Sequence, residues 1–401
     1  MSAGRQTTVA VVFGGRSVEH DVSIVTASQV MRGLDRERYE VVPVYVSREG
    51  GWYGGEPLLD LGSFDGDVTA NDAVYPLLLS PDTRHHGLLL QPLAGRFRRS
   101  RLQRIDVVFP TIHGTHGEDG TLQGLLELAD VPYVGCLTLG SALANDKISA
   151  RAVLQQQGIP LVPALHFHRQ QWRDDPEALL ASIMDRFAWP VFINPATGGS
   201  SIGTGRADDE SLLRASIDVA THFDRRILVE QGITGHVEIN CSVLGNGPAL
   251  RASVLEQPLS WEDFLTYEEK YLHGPEGMKS AGRIIPAPLD EGLTQRIQEL
   301  AIRAFRAIDG HGIARIDFFV KPETEDVWLG EINTMPGSLA AWLWQESGLQ
   351  FSELLDELVN LARAANVEKR RNSYDFRSDL ISLARQRGHK GNKGRKSFST
   401  D

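Results

Sequence analysis

Ala314-Arg315-Ile316-Asp317-Phe318-Phe319-Val320, a polar tip from Lys321 to Asp326, and Val327-Trp328-Leu329-Gly330-Glu331-Ile332-Asn333-Thr334-Met335-Pro336-Gly337 decide how this chain is read. Both limbs alternate with the period of a half-buried strand. In the first, Ile316, Phe318 and Val320 share one face while Arg315 and Asp317 share the other. In the second, Leu329, Glu331 and Asn333 fall on one face. Antiparallel pairing brings Asp317, Glu331 and Asn333 together. Three oxygen-bearing side chains on a rigid sheet form a hard-ligand set suited to Mg²⁺, completed by water and phosphate oxygens. Arg315, on the same surface, can meet the charge that such a reaction develops. A solvated acidic hairpin is the competing reading. The apolar setting of the carboxylates, and the amide-presenting turn Asn-Thr-Met-Pro-Gly, favour the metal.

Working outward, 401 residues imply two or three compact units. A hydrophobic share of 41% and a charged share of 23% suit a soluble globular protein. No apolar run is long enough for a membrane span, and the start of the chain runs into a strand without a signal-like segment. Cys136 and Cys241 lie in apolar, strand-like contexts and read as reduced core thiols of a cytoplasmic protein. The net charge of -11 hides an asymmetry: from Val367 onward ten Lys/Arg face four Asp/Glu, leaving an acidic body. Such a body argues against general nucleic-acid binding. A polyanionic ligand must be held by local cations, metal ions or amides.

Thr8 to Phe13 is an unbroken apolar run ending in Gly14-Gly15, the profile of a parallel strand covered on both faces. A helix from Ile24 to Leu34 and a strand from Tyr39 to Val46 complete a βαβ unit. The glycines turn the chain sharply and set Glu19 at the carboxyl edge of the sheet, where open α/β sheets bind ligands. Gly51 to Arg104 reads as loop-rich. The strand Asp106–Pro110 leads into Thr111-Ile112-His113-Gly114-Thr115-His116-Gly117-Glu118-Asp119-Gly120, which puts His113 just past a strand end. A helix from Ser141, carrying Lys147, ends by Gly158. The strand through Asn194-Pro195 enters Ala196 to Gly205, a run of small residues whose amides can approach a phosphate, with Ser200 and Ser201 adding hydroxyl donors. Its expected setting is strand-loop-strand. Arg226 to Gly232 is a strand ending in Glu230 and Gln231; the next strand carries Glu238 and Asn240 on one side. Trp261 to Arg283, polar and glycine-punctuated, suggests a mobile covering loop. The tail from Lys369 reads as a solvated basic extension.

Five ordered segments are similar to the D-alanine–D-alanine ligase family of the ATP-grasp superfamily. They are Phe-Gly-Gly-Arg-Ser-Val-Glu-His-Asp-Val-Ser, His-Gly-Thr-His-Gly-Glu-Asp-Gly-Thr-Leu-Gln-Gly, Gly-Ser-Ser-Ile-Gly, Glu-Lys-Tyr, and Ala-Arg-Ile-Asp-Phe-Phe with Glu-Ile-Asn-Thr-Met-Pro-Gly. The resemblance covers roughly residues 8 to 365 and implies an α/β (α+β) ATP-grasp fold of three domains, the first a Rossmann-like preATP-grasp domain. The expected boundaries are 1–139, 140–233 and 234–366, with a basic tail over 367–401. It implies ATP and two Mg²⁺ ions (Mn²⁺ as a substitute) held at Asp317, Glu331 and Asn333. Arg315 corresponds to the arginine that stabilises the acyl-phosphate and tetrahedral intermediates. Lys147, Asn194, Ser201, Glu230, Gln231, Glu238 and Lys270 correspond to nucleotide contacts. Glu19 corresponds to the carboxylate that binds the first amino acid's ammonium, with His113 beside it. Ser200, Glu19 and Tyr271 correspond to a hydrogen-bonded triad joining the two loops to that subsite. Gly337, Ser338 and Leu339 correspond to the turn around the second substrate. The resemblance further implies a cytoplasmic homodimer that makes a peptide bond between two D-alanines for peptidoglycan. This chain departs from the pattern at Asn194, where a lysine is usual, at Gln231, and in a shortened turn after Gly337.

Overall fold

The computed structural model describes residues 5–90, 101–199, 202–259, 282–374, 376 and 378–391. Strand β1 (Thr7–Gly14) leads through Gly14 and Gly15 into helix α1 (His20–Gly33), then β2 (Tyr39–Val46). The helix starts four residues earlier than expected because Glu19 already stands at its N-cap. Strands β3 (Trp52–Gly54), β4 (Tyr75–Leu79), β5 (Gly87–Leu90), β6 (Arg101–Arg104) and β7 (Val107–Pro110) complete a seven-stranded sheet of order β6-β5-β4-β3-β2-β1-β7. The centre, β2-β1-β7, is parallel and the remainder antiparallel. Within the stretch expected to be loop-rich, 51–104, the described residues contribute four short strands separated by loops and 3-10 turns. The leucine runs Leu77-Leu78-Leu79 and Leu88-Leu89-Leu90 do not alternate in polarity, so the two-residue period that marks a strand is absent there.

Alternation along β1 explains the double covering. Val9, Val11 and Phe13 enter one core with α1, while Ala10 and Val12 enter another. Gly14 and Gly15 adopt φ of +86° and +97°, and a methyl at Gly14 would lie 2.3 Å from the Val46 carbonyl oxygen. Gly14→Ala is accordingly expected to lower stability by about 1–3 kcal/mol, seen as a lower melting temperature. An unchanged melting temperature would contradict this close approach.

Helix α2 (Thr121–Ala129) follows β7, and the expected single helix from Ser141 is two, α3 (Thr138–Asn145) and α4 (Lys147–Gln156). Asp146 breaks it: its side chain accepts the Ser149 amide and caps α4. Strand β8 (Ala164–His168), helices α5 (Arg169–Asp174) and α6 (Pro176–Arg186), strands β9 (Val191–Pro195) and β10 (Gly205–Ala207), helix α7 (Glu210–Phe223) and strand β11 (Arg226–Gln231) form the second unit. Its antiparallel sheet, β10-β9-β11-β8, packs on a core shared with Trp172, Leu180, Ile183, Leu213 and Ile217. The strand-loop-strand setting of the small-residue loop holds, since β9 and β10 pair antiparallel around it.

The third sheet contains β12 (Val237–Asn246), β13 (Ala249–Pro258), β14 (Arg283–Ile284), then β15 (His311–Lys321) and β16 (Asp326–Asn333) after helix α8 (Glu291–Ala307). Its order is β14-β13-β12-β15-β16. Helix α8 buries Leu293, Ile297, Leu300, Ala301 and Ala304, a stripe at helical spacing, against Ile239, Cys241, Ile316, Phe318 and Val320. Both cysteines are core thiols, their pKa values pushed up to about 12 by burial. Helices α9 (Ala341–Glu346) and α10 (Phe351–Lys369) then return to the first sheet: Trp344, Leu354, Leu355, Leu358 and Val359 share a core with Val9, Val11 and Phe13. The expected solvated tail contains a further helix, α11 (Leu380–Gly391), with Leu380 and Ile381 exposed.

Candidate active site

The hairpin of β15 and β16 supplies the centre. Asp317 pairs with Glu331 and Arg315 with Asn333 across it. One detail corrects the sequence reading. Phe318 pairs with Leu329, so Gly330 is an extra residue, a β-bulge. The bulge turns Leu329 into the core, 2% exposed, while leaving Glu331 and Asn333 on the Asp317 face. Strict alternation put Leu329 beside the two ligands; it lies opposite them.

On that face Asn333 Nδ2 donates to Asp317 Oδ2 at 3.0 Å and to Glu331 Oε1 at 3.3 Å. The three expected ligands thus lie within hydrogen-bond reach of one another. Arg315 donates from Nε and Nη2 to the two Asp317 oxygens, each at 2.7 Å. Burial would lower the Arg315 pKa, but Asp317, with Glu256 and Glu331 beyond it, holds it above its ordinary value. Among the described residues no group of three His, Cys, Asp or Glu could hold a metal. Two carboxylates and one amide fit Mg²⁺, which keeps waters and takes substrate phosphate oxygens rather than a complete protein cage.

Lys147, at the start of α4, ties this hairpin to the small-residue loop between β9 and β10. Its Nζ donates to the Gly198 carbonyl at 3.0 Å and lies 3.7 Å from Glu331 Oε2. The loop in turn approaches the first sheet, since a methyl at Gly199 would lie 3.1 Å from Glu19 Oε2, and one at Gly114 2.5 Å. Glu19 is 5% exposed. Beside it, His113 is held between Thr26 (Nε2 to Oγ1, 2.9 Å) and Glu118 (Nδ1 to Oε1, 3.5 Å). Burial raises the Glu118 pKa, His113 opposes that shift, and Glu19 adds to it. Glu19 and His113, placed at one sheet edge from sequence, therefore face the same cleft as Lys147 and Glu331.

Three expected contacts stand differently. Asn194 does not open toward a phosphate: its Nδ2 donates to Glu230 Oε2 at 2.9 Å and its Oδ1 accepts from Thr204 at 2.9 Å. The Gln231 amide is spent on the backbone of Ala188 and Pro190 rather than turned to a nucleobase. Leu339 is fully buried in the core, and its N–H donates to the Pro336 carbonyl at 2.8 Å. Gly337 opens that turn, and Ser338, Leu339 and Ala340 all have positive φ (48°, 56° and 48°). Three consecutive left-handed residues make this a strained turn. Glu238 is exposed on β12, two residues from Asn240, which pairs with Asp317. Ser200, Ser201, Lys270 and Tyr271, with most of the expected covering loop, lie outside the described residues.

Sequence reasoning missed two groups. Arg151 donates from Nη1 to Glu230 at 2.6 Å across 79 residues of chain. Glu256, 1% exposed, accepts from Arg283 at 3.1 and 3.3 Å and from Trp342, over whose ring Arg283 stacks at 4.2 Å. A buried-strand glutamate was the available signal for the latter; nothing local marks the former.

Family models agree with this architecture: that for the D-ala D-ala ligase N-terminus matches residues 8–136, and that for the C-terminus residues 153–360. The chain is 38% identical over 378 residues to the D-alanine–D-alanine ligase of Natranaerobius thermophilus, covering 93% of this chain and 99% of that protein. It is 39% identical over 383 residues to that of Kocuria rhizophila, covering 90% and 94%. Among solved structures, the D-alanine-D-alanine ligase from Coxiella burnetii superimposes with a TM-score of 0.77 at 31% identity over 96% of this chain and 99% of that one. The VanG D-Ala:D-Ser ligase from Enterococcus faecalis does so with 0.76 at 32% identity over 89% and 100%. The fold is thus the three-domain ATP-grasp arrangement of these enzymes, and the chain belongs to the D-alanine–D-alanine ligase family.

Proposed function

We propose that this protein is an ATP-dependent ligase that joins two D-alanines for peptidoglycan precursor synthesis. The observation that carries the reading is the chain of neighbours in which Glu19, the Gly198–Gly199 loop, Lys147, Glu331, Asn333, Asp317 and Arg315 succeed one another. An amino-acid subsite at one end and a phosphate and metal site at the other suit carboxylate activation.

The carboxylate of the first D-alanine, its ammonium held by Glu19, attacks the γ-phosphorus of ATP. A carboxyl oxygen–phosphorus bond forms as the bond to the β-phosphate oxygen breaks, giving an acyl phosphate and ADP. The free amine of the second D-alanine then attacks the activated carbonyl, and inorganic phosphate leaves. Asp317, Glu331 and Asn333 would hold Mg²⁺, which when bound neutralises the phosphoryl oxygens. Lys147 adds positive charge beside the phosphate loop. Arg315 faces the oxyanion of the tetrahedral intermediate, where a fixed cation is worth most. Ser200, Lys270 and Tyr271 would close the site and exclude water, protecting the acyl phosphate from hydrolysis.

The finer reading is two Mg²⁺ ions, Mn²⁺ serving as a substitute, in a cytoplasmic homodimer. The donor set of Asp317, Glu331 and Asn333 supports its metal part. Among the described residues no helix is long and apolar enough to cross a membrane.

One observation favours a second reading, ligation of D-alanine to D-serine. A structural neighbour covered along its whole length is a D-Ala:D-Ser ligase. The purified protein should be incubated with ATP, Mg²⁺ and a panel of D- and L-amino acids, following phosphate and dipeptide. Phosphate release with D-alanine alone is expected. A mixed D-alanyl-D-serine product would favour the second reading, and ATP binding without turnover would refute both.

A further inference from the structure

A half-buried carboxylate in the nucleotide cleft is paired with a cation that has no role so far. Glu230, at the end of β11, is flanked by Arg151 from α4 and Asn194 from β9. Arg151 Nη1 donates to one carboxylate oxygen at 2.6 Å and Asn194 Nδ2 to the other at 2.9 Å. The second Arg151 nitrogen donates to the Val162 carbonyl, just before β8. One guanidinium thus ties α4, β11 and the chain entering β8 into a single wall. Arg151 is 8% exposed, and its side chain lines the same pocket as Lys147, Leu161, Leu228, Glu230 and Leu329. Arg151 and Lys147 stand four residues apart on α4, one turn on the same helix face. Lys147 reaches toward the phosphate loop and Glu331; Arg151 reaches toward the apolar end of the pocket.

Burial pushes the Glu230 carboxyl toward its neutral form, and Arg151 is the largest opposing charge, with Lys147 behind it. Asn194 orients Glu230 without charging it, and Thr204 holds Asn194 in turn. Removing one partner of such a pair leaves an uncompensated charge in a half-dry pocket.

We propose that Arg151 is a positioning residue of the nucleotide subsite, holding the Glu230 carboxylate in place so that the β11 edge keeps its shape for the nucleoside end of ATP. The inference rests on the reading of this cleft as the ATP site. It makes positions 151 and 194 interchangeable in charge: the carboxylate needs one cation, from either side.

The test is the affinity of Mg²⁺ with a non-hydrolysable ATP analogue, measured by calorimetry without any amino acid, for wild type, Arg151→Ala, Arg151→Lys and Arg151→Ala/Asn194→Lys. Arg151→Ala is expected to weaken binding at least about tenfold, with the KM for ATP rising more than kcat falls. Arg151→Lys should recover most of the loss, and Asn194→Lys in the Arg151→Ala background should recover affinity to within about threefold of wild type. Wild-type affinity in Arg151→Ala would overturn the proposal. So would a loss that neither lysine variant repairs while the melting temperature falls in parallel, since that marks a merely structural arginine. A wild-type protein that binds the analogue yet ligates no D-alanine would sink the proposed function and leave this pairing standing. A wild type that binds no analogue would sink both.

Discussion

Glu331→Gln should abolish turnover, reducing kcat on the order of 10³-fold at ordinary Mg²⁺. The substitution keeps shape and hydrogen-bonding capacity but removes one of only two carboxylates on the hairpin face. Asn333 bridges that carboxylate to Asp317, so the change falls at the centre of the donor set. Because Glu331 is partly exposed and outside the apolar core, the melting temperature should stay close to wild type. Titrating Mg²⁺ is the decisive measurement. Activity should return in part as Mg²⁺ is raised, because Asp317 and Asn333 still offer oxygens. Near-normal activity at ordinary Mg²⁺ would remove Glu331 from the metal site.

Arg315→Lys is the second large effect, with a different signature. A lysine keeps the charge but cannot span both Asp317 oxygens as the guanidinium does at 2.7 Å each. It also cannot present a fixed fork to a developing oxyanion. We expect kcat to fall about 10²–10³-fold, with the KM for ATP changing far less, the pattern of an interaction made mainly in the transition state. Mg²⁺ dependence should be unchanged or tighter, since Asp317 loses its competitor. A variant whose defect is repaired by added Mg²⁺ would show that Arg315 acts only by arranging the metal ligands.

Much of this was legible in the sequence, and the reasons differ by element. The β1–Gly14–Gly15–α1 unit was plain because an apolar run, a forced positive φ and a helical stripe are all local signals. Asp317, Glu331 and Asn333 were found together because a hairpin pairs residues through a short tip. The Gly330 bulge was not visible, since one extra residue in a strand leaves composition and length unchanged while flipping Leu329 to the core. The partners of Asn194 and Gln231 were not visible either, because both depend on backbone or side chains brought up by distant segments. Arg151 and Glu230 meet across three strands and three helices, and no spacing rule reaches that far.

The return of α9 and α10 to the first sheet has a consequence for how the chain is born. Val9, Val11 and Phe13 share a core with Leu354, Leu355 and Leu358, which are made more than three hundred residues later. Until then α1 covers that face of the sheet only in part, and the remaining apolar surface is open to other nascent polypeptides. This architecture therefore defers completion of the layer around β1 across a long interval of translation, which makes that interval a period of exposure to aggregation and to chaperone capture.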